Sequence, residues 1–257
     1  MQANKDYFKV IQITDTHLFK NAESLMFGLS SNCNFDAVMD QVKNTELHDA
    51  DAIFLTGDLS QDETVESYSY LLERIELFNK PVYWLPGNHD SLTTMEKVFN
   101  KSNIFHRGTR IETPFWDFIF VDTKIDGRDS GYIADVELKR LSSELKLSKN
   151  KTALVMHHHP MFVNTPILDK YILENRDEFW NILNKFHVDL IMCGHVHNDY
   201  SFSFNNVSIE TAPATSLQWK KGASQIAFEK KAGFKVYYFL ENRYEAKTRI
   251  FETEEVI

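Results

Sequence analysis

Two periodicities divide the chain. Residues 8–13 alternate apolar and polar positions, which predicts a strand. Short apolar runs at 53–56, 82–85, 118–121, 153–156 and 188–193 predict strands buried on both faces. Between them, apolar residues fall at helical spacing: Phe35, Val38, Met39 and Val42, then Leu71, Leu72, Ile75 and Phe78, then Leu138, Leu141 and Leu145. Strands that alternate with amphipathic helices predict an α/β architecture. The final third changes period. Segments 200–204, 207–211, 235–240 and 247–251 alternate with period two, and Asn205-Asn206 is a hairpin-type turn between the first pair. This stretch, residues 200–257, reads as an antiparallel meander that completes a second sheet. No repeat, low-complexity tract or Pro/Gly-rich linker interrupts the sequence, so residues 1–257 read as one domain.

Five polar clusters stand directly after predicted strands. They are Asp15-Thr-His17, Gly57-Asp58, Gly87-Asn-His-Asp90, His157-His-His-Pro160 and Gly194-His-Val-His197. In α/β sheets, ligands bind beyond the carboxyl ends of the strands, so five such clusters would converge on one crevice. Their side chains supply oxygen and nitrogen donors, which suit Mn, Fe, Co, Zn or Ni better than the all-oxygen shell calcium prefers. No CxxC pair suggests a structural zinc site. In Asp15-x-His17 and His195-x-His197 the paired residues are two apart, so just past a strand they can point the same way. Each cluster alone also has an ordinary reading. An Asp-x-His is commonly a solvated loop, Gly-Asp and Gly-Asn are commonly turns, and three histidines can be a surface tract. Five together in this order, each closing a strand, favour a metal site. His48, His106 and His187 have no partners in sequence and read as ordinary surface or core residues.

Composition narrows the partners. The net charge is -9, which argues against a polyanion groove and hence against a nucleic-acid polymer. A small phosphorylated ligand held through metal stays compatible. No apolar run is long enough to span a membrane. The N-terminus shows no secretory core, and Cys193 reads as a buried reduced thiol, with at most one disulfide available to Cys33. Together these predict a cytoplasmic protein. The period-two C-terminal strands would offer a surface for a homodimer.

The five clusters resemble the signature of the calcineurin-like metallophosphoesterases, in the same order. Gly57-Asp-Leu-Ser-Gln-Asp62, Leu85-Pro-Gly-Asn-His-Asp90, His157-His-His-Pro160 and the stretch from Cys193 through residues 211–216 to Gln218 are similar, more narrowly, to bacterial class III 3',5'-cyclic AMP phosphodiesterases. Lys220-Lys221-Gly222 matches no part of that pattern. The resemblance implies a four-layer α/β/β/α sandwich with two mixed sheets. It also implies two metal ions (Fe, Mn, Zn or Co) and a small cyclic-nucleotide substrate. Asp15, His17, Asp58 and His197 would hold one metal; Asp58, Asn88, His157 and His195 would hold the other, with Asp58 bridging. Hydroxide held between the ions would attack phosphorus. His89 would bind phosphate and protonate the leaving group, with Asp90 orienting its imidazole. Asn88, His89 and His159 are the expected substrate contacts, while His158 is open between pocket and structural roles. Aromatics around Trp219 could stack on a base, or be ordinary core. A glycerophosphodiester or nucleotide-linked diester is the alternative substrate. A non-catalytic scaffold of this fold would have lost ligands, and none is missing here.

Overall fold

The computed structural model describes residues 5–253. Positions 1–4, on which the reading of the N-terminus rests, and 254–257 lie outside the described residues. The first half runs β1 (Tyr7–Ile13), α1 (Ser31–Thr45), β2 (Ala52–Thr56), α2 (Val65–Glu76), β3 (Val82–Leu85), α3 (Leu92–Phe99), β4 (Phe105–Arg107), β5 (Arg110–Glu112) and β6 (Trp116–Val121). Then follow α4 (Asp135–Leu147), β7 (Lys151–Met156), α5 (Arg176–Leu183), β8 (Leu190–Cys193), β9 (Ser201–Phe204) and β10 (Val207–Thr211). The chain closes with β11 (Gln218–Trp219), β12 (Phe228–Glu229), β13 (Lys231–Leu240) and β14 (Tyr244–Glu252).

Two six-stranded mixed sheets form, in the orders β14-β13-β1-β2-β3-β4 and β5-β6-β7-β8-β10-β9. Three apolar layers hold them. Phe35, Val38, Leu71, Ile75 and Val98 on α1–α3 pack against Ile11, Ile13, Ile53 and Leu55 of the first sheet. Leu138, Leu141, Phe179 and Leu183 on α4 and α5 cover Ile119, Leu154 and Ile191 of the second. Between the sheets lie Val10, Ala52, Phe54, Phe118, Phe120, Val155, Met192 and Phe239. Adjacent residues of one strand thus bury into different layers. That is why β2, β6 and β8 read as unbroken apolar runs rather than alternating ones. The result is the expected α/β/β/α sandwich.

The C-terminal expectation needs correction. Only β9 and β10 join the second sheet, where β10 runs parallel to β8. β13 instead pairs antiparallel with β1, and β14 follows it at the edge of the first sheet. The burial pattern gives the reason. Ala232, Phe234 and Val236 face the helices while Tyr237 and Phe239 face the opposite sheet. A strand apolar on both faces needs a doubly covered position, and beside β1 it finds one. The Asn205-Asn206 turn is as read: both residues are left-handed (φ 48° and 65°), which a two-residue hairpin of this type requires. Cys33 and Cys193 are free thiols, and no helix among the described residues is long and apolar enough to cross a membrane.

Candidate metal centre

Parallel strands β1, β2, β3, β7 and β8 end at the same rim, and the five loops leaving them meet there. Two loops share one backbone device. Asp15 and His17 have φ of 52° and 43°, and His195 and His197 have φ of 69° and 45°. Left-handed geometry at alternate residues turns both side chains of each Asp-x-His and His-x-His pair inward, so the pairing owes more to the turn than to strand alternation. Asp58 is left-handed too (φ 53°). Such backbone is costly for residues with a Cβ, and it clusters at functional sites. The loops also touch. A Cβ on Gly87 would stand 2.1 Å from Asp58 Oδ1, and one on Gly57 would stand 2.6 Å from the backbone nitrogen of Gly87. Only glycine lets the second and third loops approach this closely.

The donor atoms converge. His17 Nε2 lies 3.0 Å from His197 Nε2, and His197 Nε2 lies 3.3 Å from Asp15 Oδ1. Asp58 Oδ2 stands 3.3 Å from His157 Nε2 and 3.7 Å from His17 Nε2, between the two groups. His157 Nε2 is 3.2 Å from Asn88 Oδ1 and 3.3 Å from His195 Nδ1. The seven residues expected as ligands are therefore brought to one place.

The outer ring nitrogens fix the proton positions. His17 Nδ1 meets Gln61 Oε1 at 2.7 Å, His157 Nδ1 meets the Thr56 carbonyl at 2.7 Å, and His197 Nδ1 meets the Leu217 carbonyl at 3.2 Å. Each outer partner accepts a hydrogen bond, so each Nδ1 carries the proton and each Nε2 presents a lone pair inward in the neutral ring. Lone pairs of His17 and His197 then face each other at 3.0 Å, while His157 Nε2 faces the Asp58 carboxylate and the Asn88 amide oxygen. Cations resolve this crowding: bonds of about 2.1 Å at right angles place neighbouring donors about 3 Å apart. The residues fit a metal centre.

Burial and charge tune the groups. Burial pushes the His17 imidazole down to about 3, so it stays neutral as a ligand must. Burial likewise holds His195 well below its ordinary value. Burial opposes the charge on Asp58, but His157 and His17 hold its carboxyl well below the usual range. Against burial, Asp58 and Asp15 push His157 up to about 9, marking where positive charge is most favoured.

Two expected roles change. Asp90 is buried, and its oxygens accept from the backbone N–H of Leu59 (2.9 Å), Ser60 (3.1 Å) and Gly87 (2.9 Å) and from the Tyr68 hydroxyl (3.0 Å). Turned into these donors, it ties the second loop to the third and does not orient His89. Burial and the nearby Asp58 charge push it up to about 7, against the Gly87 and Ser60 N–H donors and the His157 charge. His159, expected at the substrate, is fully buried; its ring lies along that of His195 at 5.6 Å, on the side towards Asp169. His159 is not among the residues that line the cleft. His158 is also buried, bonded to Thr123 Oγ1 at 2.7 Å.

A cleft of about 530 Å³ opens over the donors, with Asn88 and His89 on its wall. The His89 ring meets that of His17 edge-on at 5.0 Å, and its backbone N–H donates to Asp58 Oδ1. Further out the cleft reaches Phe27, Lys170, Tyr171, Trp219 and Ile226. Sequence reading missed the outer partners of the histidines. The carbonyls of Thr56 and Leu217 carry no side-chain signal, and Gln61 stood out only as part of the second block.

A buried nest of imidazoles and carboxylates at strand ends of an α/β/β/α sandwich defines a metal-dependent phosphoesterase. The chain belongs to the calcineurin-like phosphoesterases, whose family pattern matches residues 8–199. A curated relative from Coxiella burnetii, named "Probable cyclic nucleotide phosphodiesterase", is 36% identical over 91% of this chain and 93% of its own. The 3',5'-cyclic adenosine monophosphate phosphodiesterase CpdA of Escherichia coli K12 is 30% identical over 86% of this chain and 81% of its own. Among solved structures, a dimetal phosphatase from Danio rerio superposes with a TM-score of 0.73 at 12% identity, covering 94% of this chain and 96% of that one. That likeness is one of fold.

Proposed function

We propose that this chain is a two-metal phosphodiesterase that opens a small 3',5'-cyclic nucleotide, cyclic AMP to 5'-AMP. The observation that carries the reading is the set of inward Nε2 atoms of His17, His157 and His197, grouped around two carboxylates at the floor of a cleft. Asp15, His17, Asp58 and His197 would hold one ion; Asp58, Asn88, His157 and His195 would hold the other. Asp58 would be shared, since its Oδ2 stands between His17 and His157. Oxygen and nitrogen donors of this kind suit Mn, Fe, Zn or Co. When bound, such a pair lowers the pKa of water towards neutrality and clamps phosphate oxygens.

The protein's own groups do the rest. Gln61 and the Thr56 and Leu217 carbonyls hold three rings with Nδ1 outward and Nε2 inward, towards the place an ion would take. Asp90 locks the Asp58 and Asn88 loops together. His89, on the cleft wall, would donate a proton to the departing alkoxide. Substrate class is supported by relatives named for cyclic nucleotides that align over most of both chains, and by a cleft large enough for one nucleotide.

The test is a panel on enzyme stripped of metal and reloaded with Mn. Cyclic AMP, cyclic GMP and a glycerophosphodiester are compared by kcat/KM, with products separated by chromatography. Cyclic AMP turned over to 5'-AMP at the highest kcat/KM supports the reading. A glycerophosphodiester preferred over both nucleotides overturns it.

A further inference from the structure

The outer cleft holds a feature that neither the metal centre nor the core requires. Met26 and Leu29 bridge each other through reciprocal backbone hydrogen bonds of 2.9 and 3.0 Å, closing a two-residue turn. Its central residues are Phe27 (φ 52°) and Gly28 (φ 81°). Turns of this kind favour Asn-Gly, because both positions are left-handed. A phenylalanine at the first position is strained, and here it is also 48% exposed. A bulky apolar side chain held at a cost both to backbone and to solvation points to a use.

The ring is aimed at the cleft. It lies 5.5 Å from Trp219, edge-on, and 5.5 Å from Phe228. Trp219 in turn lies 5.8 Å from the His197 ring, so the aromatic lip begins one ring away from the donor cluster. Ile226, 64% exposed on the loop between β11 and β12, lines the same cleft. That loop is tied to the far wall by hydrogen bonds from the backbone of Ile167 to the Ala223 carbonyl and of Gly222 to Thr165 Oγ1. Gln225, beside Ile226, offers both a donor and an acceptor at the edge of the apolar surface.

We infer that Phe27, with Trp219 and Ile226, forms the nucleobase site of the enzyme, and that Phe27 sets its preference for base-bearing over base-less diesters. The inference rests on the proposed function and deepens it. A cyclic nucleotide carries its base one ribose away from phosphorus, and the lip stands one ring away from the donors. Flat aromatic and apolar faces suit every base, while a flexible glutamine edge reads none strictly. The site therefore favours a nucleoside phosphate without choosing sharply between purines.

The variants are Phe27→Gly, which removes the ring and relieves the left-handed backbone, and Phe27→Trp, which restores an aromatic. Two substrates share one reactive ring: cyclic AMP, and the methyl riboside 3',5'-cyclic phosphate that lacks the base. Expected is a fall of about tenfold in the ratio of their kcat/KM values for Phe27→Gly, carried by KM, with recovery in Phe27→Trp. Quenching of tryptophan fluorescence by 5'-AMP should weaken in parallel in Phe27→Gly. An unchanged ratio in Phe27→Gly, with wild type active on cyclic AMP, overturns the base site alone. Wild-type enzyme inert on cyclic nucleotides but active on another diester overturns the functional reading and the base site with it.

Discussion

Replacing Asp90 by Asn separates two accounts of that residue. The carboxylate accepts four hydrogen bonds: Oδ1 from the Leu59 and Ser60 backbone and the Tyr68 hydroxyl, Oδ2 from the Gly87 backbone. Tyr68 cannot reverse its role at no cost, since its oxygen already accepts from the Ser91 backbone. An amide retains one accepting oxygen. Whichever way it turns, an NH2 group then faces at least one buried N–H. A buried donor left unsatisfied costs about 1–3 kcal/mol. Asp90→Asn should therefore destabilise the fold by about 2 kcal/mol, moving a urea midpoint by about 1 M at a slope of about 2 kcal/mol per M. Metal affinity should fall with it, because the second and third loops lose their tie. At saturating metal, kcat should stay within about threefold of wild type, as Asp90 touches no reacting group. The contrary pattern is unchanged urea stability with kcat down about 100-fold at saturating metal. That would make Asp90 the acid partner of His89 and refute the loop-tie account.

Asp58→Asn should cost the enzyme both ions in elemental analysis and lower activity more than about 100-fold, since Asp58 stands between the two donor groups. Gln61→Ala removes only the outer partner of His17, and titration should show metal affinity weakened by about 10–100-fold with residual turnover. Far from the site, buried Glu46 is opposed by burial but held below the usual carboxyl range by Lys9 and Arg249. Its lowered pKa stabilises the fold above about pH 4.5, and this is lost as pH falls through the folded value. Glu46→Gln should accordingly cost about 2 kcal/mol near pH 7 in chemical denaturation, a cost that shrinks as pH falls through the folded value.

The metal centre was legible because its chemistry sits in side chains of fixed type at strand ends. Asp15-x-His17 and His195-x-His197 are readable as pairs, although left-handed backbone, invisible to strand periodicity, is what turns them inward. What escaped lay in geometry between neighbours. His89 and Asp90 are adjacent in the chain, yet one faces the cleft and the other the loops behind it. His157, His158 and His159 form one run, yet they part: His157 meets Asp58 and Asn88, His158 lies beside His157 and His195 but bonds Thr123, and His159 faces Asp169. The strand pattern of 235–240 showed a strand without showing its partner, because pairing with β1 is decided by which sheet can cover both its faces. Phe27 carried no signal at all: its role depends on a turn and on Trp219, nearly two hundred residues away.

Anomalous diffraction from crystals of the Mn-loaded protein tests the central claim most directly. Two peaks within about 4 Å of each other are predicted, one beside Asp15, His17 and His197, the other beside Asn88, His157 and His195, with Asp58 reaching both. Strong peaks elsewhere, or none at this rim in a Mn-saturated crystal, would contradict it.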